Sequence, residues 1–328
     1  MKNKGILLVN VGTPDEPTAK SVGRYLREFL MDPFVIDIPF LLRFFLVNFL
    51  IVPFRSAKSA TAYKIIWNHR GSPLRYFMQD LTERVQREFP DLHIAFAMRY
   101  GAPSLETEIK NMKEKGVEHL HLAPLYPQYA ESSYQTSKER ASKLAEKYGL
   151  KFSVQKEFYD NPDFIRTQAD LIRPFLENSF DKILFSYHGL PQRHISKLEP
   201  ECDSCFEAPC AMDAHLKRKK CYRAQCYATT EALAKQLGLK GSQYTTSFQS
   251  RLGRTPWIQP FTDHVIQKWG AEKLKRVVVV CPSFTIDCLE TLEEIGNRAV
   301  EDFKTHGGGT LDLVPCLNEK TPNSVLGL

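Results

Sequence analysis

The sequence predicts an α/β protein of two domains, each built on a parallel sheet with helices on both faces. Short apolar runs typical of buried strands alternate with longer stretches of helical spacing, and such alternation produces parallel, doubly wound sheets. The chain has 328 residues, which at about 150 residues per domain corresponds to roughly two domains.

Six apolar runs have the length and composition of buried strands: residues 5–9, 94–98, 119–124, 182–187, 244–248 and 277–281. The last one holds consecutive valines without alternation, as expected when both faces of a strand are covered. Five stretches between them have helical spacing: residues 18–29, 73–88, 105–115, 139–148 and 228–236. We expect the domain break near residues 149–161, giving domains 1–155 and 156–328.

Composition excludes several classes of protein. Charged residues are 25% and hydrophobic residues 43%, which is ordinary for a globular chain and excludes a disordered, collagen-like or coiled-coil protein. The net charge of +6 is mild and suits an anionic small ligand or membrane surface. The basic run 217–220 has no interleaved aromatic residues, so we expect no nucleic-acid partner. The apolar run 5–9 is too short for a signal peptide core, so we expect a cytoplasmic protein.

Residues 34–54 form a strongly apolar and aromatic segment that is interrupted by Pro39, Arg43 and Asn48. A membrane-spanning helix needs about 20 mostly apolar residues, so this segment is marginal as a span. Two interpretations stay open. The segment is either buried core or an exposed apolar lip that contacts a membrane or an apolar ligand.

Candidate reactive side chains follow the predicted strands, where open parallel sheets bind ligands. His188 comes directly after the strand 182–187 and precedes a Gly-Leu-Pro turn, which suits a general base or a metal ligand. Asp287, Glu290 and Glu294 follow the strand 277–281 at helical spacing and share one face. An ordinary solvated surface helix shows the same pattern, and position at the sheet edge is what favours function.

Five cysteines lie within the segment 199–226, which predicts a bound metal or cluster because thiols in a reducing compartment do not form a disulfide framework. They begin as Cys202-x-x-Cys205-x4-Cys210 and continue with Cys221 and Cys226. The remaining cysteines, at 281, 288 and 316, have the setting of structural core residues.

Eight short runs, weak alone and specific together, occur in order from about residue 5 to about residue 318: 5–14, 25–30, 71–73, 98–101, 125–129, 185–191, 248–251 and 287–294. Together they resemble the ferrochelatase family, most specifically through Phe-Ser-Tyr-His-Gly-Leu-Pro at 185–191. The resemblance implies two Rossmann-like domains of the chelatase type with a porphyrin cleft between them. It also implies insertion of ferrous iron into protoporphyrin IX, the last step of haem synthesis.

The resemblance assigns roles to residues. His188 is the base or an iron ligand, Glu290 is its partner, and Asp287 and Glu294 continue a carboxylate path. Four positions match the lining of the porphyrin pocket, namely Arg99, Tyr126, Trp257 and Phe284, and two match its entrance, namely Val11 and Arg55. The segment 34–54 matches the family's pocket lip, which favours peripheral contact with the inner face of the membrane.

Some ferrochelatases carry a 2Fe–2S cluster, and animal enzymes use the same three-cysteine spacing near the carboxyl end. Here the triplet is internal, so the resemblance implies a cluster held by Cys202, Cys205, Cys210 and a fourth ligand. Cys221 is preferred because it lies in the extra material, and Cys226 is the alternative. A structural zinc held by four thiolates stays open, as do free thiols.

Other functions also stay open. The chain could be a non-catalytic tetrapyrrole or metal carrier, a chelatase for another divalent metal, or an enzyme for coproporphyrin. The pairing of His188 with Glu290 favours an enzyme, because a carrier needs neither a base nor an acid path. Either a monomer or a homodimer fits the sequence.

Overall fold

The computed structural model of the protein describes residues 3–200, 205–206, 210, 213–253 and 255–328. The chain divides into two compact units. The N-terminal unit comprises Met1–Leu125, Ala130–Lys156 and Asn323–Leu328, and the C-terminal unit comprises Tyr126–Tyr129 and Glu157–Pro322. The main division therefore falls one residue after the expected boundary, and two short segments belong to the unit opposite to their place in the sequence.

The N-terminal unit contains a four-stranded parallel sheet in the order β2-β1-β3-β4. Its strands are β1 Lys4–Gly12, β2 His93–Tyr100, β3 His119–Pro124 and β4 Lys151–Val154. Its helices are α1 Ala19–Leu30, α2 Phe40–Phe45, α3 Val52–Ile66, α4 Pro73–Glu88, α5 Leu105–Glu114 and α6 Thr136–Lys147. The central strand β1 is buried on both faces because helices cover the sheet on each side.

The C-terminal unit repeats this architecture with a parallel sheet in the order β6-β5-β7-β8. Its strands are β5 Lys182–His188, β6 Tyr244–Gln249, β7 Arg276–Val280 and β8 Thr310–Leu313. Its helices are α7 Pro162–Leu176, α8 Gln192–Leu198, α9 Ala214–Lys217, α10 Tyr222–Leu237, α11 Thr262–Ala271, α12 Leu289–Leu292 and α13 Val300–Thr305. The fold class is thus the predicted one, with two α/β units that each contain a parallel sheet.

Each sheet packs its apolar residues against helices to form a core. In the N-terminal unit, Leu7 and Val9 of β1 lie in one cluster with Ile109 of α5 and Leu144 of α6. In the C-terminal unit, Val277 and Val279 of β7 belong to a cluster that also contains Trp269 and Phe303. Burial of these side chains fixes the strands and thereby the loops at their carboxyl ends.

The apolar segment is helical and largely exposed. Helix α2, a π-helical turn Leu46–Ile51 and helix α3 follow one another directly. Seven large apolar side chains on this run are at least 58% exposed: Phe40, Leu41, Leu42, Phe45, Phe49, Leu50 and Phe54. The buried-core interpretation is therefore wrong for these residues, and we call them the apolar lip.

The run Phe40–Ile66, of 27 residues, meets the length and composition of a membrane-crossing helix, with a mean hydropathy of 1.6 over its most apolar window. One such helix is weak evidence for a span, since core helices and signal sequences meet the same criteria.

Candidate active site

The site is built around the carboxyl end of β5, which pairs with β6 on one side and β7 on the other. Its last residue, His188, is half-buried, while the preceding Phe185 and Tyr187 are fully buried. The next residue, Gly189, donates its N–H to the Gln249 carbonyl at 2.6 Å. A Cβ at position 189 would lie 2.9 Å from that same oxygen, so the close approach of the two strands requires glycine.

The imidazole and the peptide groups of His188 are held in place. Its N–H donates to Ser283 Oγ at 3.1 Å, and its carbonyl accepts from the Tyr222 hydroxyl at 2.8 Å. The ring atom Nδ1 lies 2.6 Å from the Gly189 carbonyl oxygen. Because a carbonyl only accepts, Nδ1 carries the proton in this contact, and the neutral ring presents Nε2 as its proton acceptor or metal ligand.

Two glutamates are bound by the last residue of β6 and the residue after it, namely Gln249 and Ser250. Glu290 lies on the short helix α12, and its carbonyl accepts from Gln249 Nε2 at 2.7 Å. Glu294 begins a π-helical turn, Glu294–Ala299, and both of its carboxylate oxygens accept hydrogen bonds from Ser250. The backbone bond from Ser250 N is 2.9 Å long.

Electrostatics connect the three groups. Burial raises the pKa of the Glu294 carboxyl above its ordinary value, and the negative charge of Glu290 acts in the same direction. The Ser250 hydrogen bond, Arg298 at 3.8 Å and His188 oppose this rise in pKa. A carboxyl that holds its proton at a higher pH than usual, beside an imidazole, is suited to proton transfer.

Asp287 has a different environment from the other two acidic residues. It is 3% exposed. Its oxygens accept from Thr291 Oγ1 at 2.9 Å, from Asn318 Nδ2 at 2.8 Å and from Cys316 N at 3.2 Å. These bonds anchor the start of α12 to the segment after β8, so these contacts of Asp287 are structural.

Aromatic side chains flank the histidine. The Phe284 ring is packed edge-on against the His188 ring with 6.2 Å between centroids. Trp257 forms a bridge with Pro191, and its ring lies 3.3 Å from where a Cβ at position 189 would be. Tyr126 belongs to the same unit and is 8% exposed. The C-terminal unit thus places the Phe284 ring against the predicted base, Trp257 beside the adjacent Gly189, and the Glu294 carboxyl within electrostatic reach of the imidazole.

The N-terminal unit carries the other predicted binding residues. Val11 is half-buried near the carboxyl end of β1, and Arg55 is exposed on α3. Arg99 Nη2 lies 2.5 Å from Asp32 Oδ2, and Arg99 Nε donates to Thr136 Oγ1 at 2.9 Å. A buried carboxylate and a hydroxyl therefore fix the guanidinium.

Sequence reasoning missed several residues that orient these groups, namely Asp32, Tyr222, Gln249, Ser250 and Ser283. Gln249 and Ser250 lie within the run 248–251, and Asp32 binds Arg99 of the run 98–101. Nothing in the sequence shows that Tyr222 or Ser283 would reach the His188 peptide, because each contact joins distant parts of the chain.

The cysteine segment is partly described. Cys202 lies outside the described residues, and the cysteines that the structure does describe are all free of disulfide bonds. Within residues 3–200, 205–206, 210, 213–253 and 255–328, no three His, Cys, Asp or Glu side chains converge in a group that could hold a metal ion.

A buried arginine lies among the described thiols. Arg223 is 2% exposed, and its Nη1 donates to Cys210 Sγ and to the Cys205 carbonyl, each at 3.0 Å. Burial raises the pKa of the Cys210 thiol, the guanidinium opposes this rise, and Cys221 and Cys205 are close enough to increase it. The Cys210 thiol therefore lies within hydrogen-bond distance of a fixed positive charge.

Comparisons of the sequence with a family model and with curated proteins identify one family. The sequence model of the Ferrochelatase family matches residues 3–324. Ferrochelatase from Legionella pneumophila (strain Paris) is 45% identical over 319 residues, which covers 96% of this chain and 95% of that protein. Ferrochelatase from Pseudomonas savastanoi pv. phaseolicola is 42% identical over 322 residues, covering 97% and 94%. The solved structure of SirB from Bacillus subtilis with Fe3+ aligns with a TM-score of 0.49 and 13% identity, covering 78% of this chain and 90% of that chain.

Proposed function

The chain belongs to the ferrochelatase family of metal chelatases, which insert iron into porphyrin for haem synthesis, and from this premise we propose that it inserts ferrous iron into protoporphyrin IX with His188 and Glu290 as its catalytic residues. One observation carries the assignment. His188 has Nδ1 bound to the Gly189 carbonyl, which leaves Nε2 to react, and its ring is close enough to the Glu294 carboxyl to act on the raised pKa of that group.

The chemistry of metallation explains this arrangement. Two pyrrole protons must leave, and a flat macrocycle must bend so that its nitrogen lone pairs face the metal. His188 Nε2 accepts a proton or holds the iron, and Glu290 on α12 and Glu294 on the following π-helical turn pass protons or metal. Carboxylate and imidazole ligands hold ferrous iron transiently, whereas thiolates would retain it.

The substrate itself is recognised by two kinds of side chain. Within the C-terminal unit, the aromatic walls for the flat ring are Phe284, Trp257 and Tyr126. Arg99 and Arg55 supply cations for the propionates, and the Asp32 carboxylate holds Arg99 in a fixed orientation.

An anaerobic assay tests this proposal. The protein is mixed with ferrous iron and protoporphyrin IX, and the loss of porphyrin fluorescence is followed over many turnovers. We expect multiple turnovers with this pair and slower turnover with coproporphyrin or with cobalt or nickel. A single stoichiometric binding event without turnover would identify a carrier, and faster turnover of another metal or porphyrin would replace the substrate assignment.

For the cysteine segment we propose a 2Fe–2S cluster held by Cys202, Cys205, Cys210 and Cys221. The support is the spacing of these cysteines in the sequence and the buried Arg223, which donates to Cys210 Sγ and would offset thiolate charge. Such a group would supply one-electron redox chemistry. Protein purified anaerobically should be brown, with visible absorption that the Cys210→Ser variant loses. Colourless protein with stoichiometric zinc would establish the structural zinc instead, and Cys226→Ser tests the alternative fourth ligand.

For the apolar lip we propose peripheral contact with the inner face of the membrane in the cytoplasm. Flotation with phosphatidylglycerol vesicles tests it. Replacing Leu41 and Phe45, which are 68% and 58% exposed, by Asp should reduce binding by about tenfold or more. Leu216→Asp is the matched control, because Leu216 is 64% exposed and lies outside the lip. If the unsubstituted protein, the variant with Asp at positions 41 and 45, and Leu216→Asp bound the vesicles equally, the lip would be rejected as the membrane contact.

A further inference from the structure

Helix α10 begins with a tyrosine that touches the predicted catalytic base. Tyr222 is the first residue of the helix, is 5% exposed and directly follows Cys221, which is fully buried. Its hydroxyl donates to the carbonyl of His188 at 2.8 Å. The two residues are 34 positions apart in the sequence.

This contact replaces a missing strand partner. The pairing of β5 with β7 ends at Phe185 opposite Val280, so the last residues of β5 have no ladder partner on that side. The His188 N–H and carbonyl bind the Ser283 and Tyr222 hydroxyls instead. On the other side, Gly189 N–H continues the pairing to the Gln249 carbonyl. Two side-chain hydroxyls therefore complete the sheet where the catalytic residue sits.

The peptide that Tyr222 holds also determines how the imidazole points. It joins His188 to Gly189, and Gly189 supplies the carbonyl that binds Nδ1 of the ring. Loss of the Tyr222 hydroxyl leaves a buried carbonyl without its donor, which favours rotation of the peptide. Rotation would displace Gly189 and hence Nε2, and reactive groups tolerate little displacement.

The same end of α10 is bonded to the cysteine segment. Arg223, the neighbour of Tyr222, donates to Cys210 Sγ and to the Cys205 carbonyl. Two consecutive residues at the start of α10 therefore bind different parts of the molecule. Tyr222 binds the His188 peptide, and Arg223 binds the cysteine segment. A change in what the thiols bind can shift the start of the helix and, through Tyr222, the peptide of His188.

We infer that Tyr222 is a positioning residue for iron insertion and that it couples the cysteine segment to His188. The inference rests on the proposed function of His188. It assigns the cysteine segment an effect on the rate of iron insertion, exerted through a single hydroxyl group.

Anaerobic iron insertion by Tyr222→Phe tests the positioning role. We expect kcat to fall by about tenfold, while KM for protoporphyrin and the porphyrin affinity measured by fluorescence quenching change less than about twofold. Tyr187→Phe is the matched control, because Tyr187 is fully buried and the change removes a similar hydrogen bond, the one between its hydroxyl and Thr230 Oγ1 at 2.9 Å. Its kcat should stay within about twofold of the unsubstituted protein.

The Cys210→Ser change in both backgrounds tests the coupling. It should lower kcat in the unsubstituted protein and have little further effect in Tyr222→Phe. Equal kcat for Tyr222→Phe and Tyr187→Phe would overturn the positioning role, and equal effects of Cys210→Ser in the two backgrounds would overturn the coupling. Failure of the proposed function itself is distinguishable, because the unsubstituted protein would then show no turnover.

Discussion

At the scale of single residues, the site depends on hydrogen bonds that fix one nitrogen of an imidazole and tune one carboxyl group. The position of His188 after a buried strand is visible in the sequence, and so is the spacing of Glu290 and Glu294. The hydrogen bonds that set the reactivity of these side chains cannot be read from the sequence. Ser250 binds Glu294 across 44 positions of sequence, and the Nδ1 contact requires the local turn at Gly189.

Glu294→Gln tests the role of the carboxyl with the raised pKa. An amide cannot accept a proton, so we expect kcat to fall by about tenfold or more while porphyrin affinity is preserved. Steady-state kinetics and fluorescence quenching measure the two quantities. Glu293→Gln is the control, because Glu293 is 5% exposed and binds Arg298 at 2.9 Å without belonging to the proposed path. Normal turnover by Glu294→Gln would remove this residue from the proton path.

At the scale of elements, the sequence predicts the strands β1 to β3 and β5 to β7 and the helices α1, α4, α5, α6 and α10, but not the long helices α3, α7 and α11. It misses β4 and β8, one edge strand of each sheet, because each has only four residues and little apolar signal. It also starts α10 at residue 228, whereas the helix begins at Tyr222 behind the cysteines. The acidic helix expected from Asp287 onward begins at Leu289 and becomes π-helical at Glu294. Tertiary contacts determine these boundaries, which local pattern cannot show.

Gly12→Ala tests how the carboxyl end of β1 is built. Gly12 has φ of +115°, and a Cβ there would lie 1.9 Å from the Tyr100 carbonyl oxygen. We expect a loss of about 3 kcal/mol or more in the free energy of unfolding, from strain plus overlap. Gly116→Ala separates the two causes, because Gly116 has φ of +84° with no atom within 4 Å. It should cost about 1 to 2 kcal/mol. If urea unfolding gave similar losses of unfolding free energy for Gly12→Ala and Gly116→Ala, local movement of the backbone would have relieved the overlap at position 12.

At the scale of the whole molecule, the last residues of the chain contact the first strand. The last segment, Asn323–Leu328, belongs to the N-terminal unit, where Lys4 Nζ donates to the Gly327 carbonyl at 3.2 Å. The sequence predicts the two-unit division, but it cannot show this return because the contact joins residues 323 positions apart. Gly327 packs so closely that a Cβ there would lie 2.1 Å from His121 Nε2.

His121 makes the stability of the molecule sensitive to acid. Burial, together with the positive charge of Lys4 and the effect of His119, lowers the pKa of His121 to about 4. An unfolded histidine titrates near 6.5. The unfolded chain therefore binds the proton more readily between these values, so stability falls as the pH drops from about 6.5 to about 4.

Urea unfolding across that pH range measures the effect of His121. The unsubstituted protein should lose stability as the pH falls, and His121→Gln should show a shallower dependence because it lacks the titrating group. The same slope for both proteins would assign the acid sensitivity to other residues.

The central claim is that His188 performs iron insertion rather than merely contributing to the pocket. Turnover and porphyrin binding of His188→Ala, measured side by side under anaerobic conditions, test it most directly. The account predicts that the variant binds protoporphyrin with measurable affinity and inserts no detectable iron, because the ring that accepts the proton or holds the metal is gone. Near-normal turnover in this variant would contradict the account.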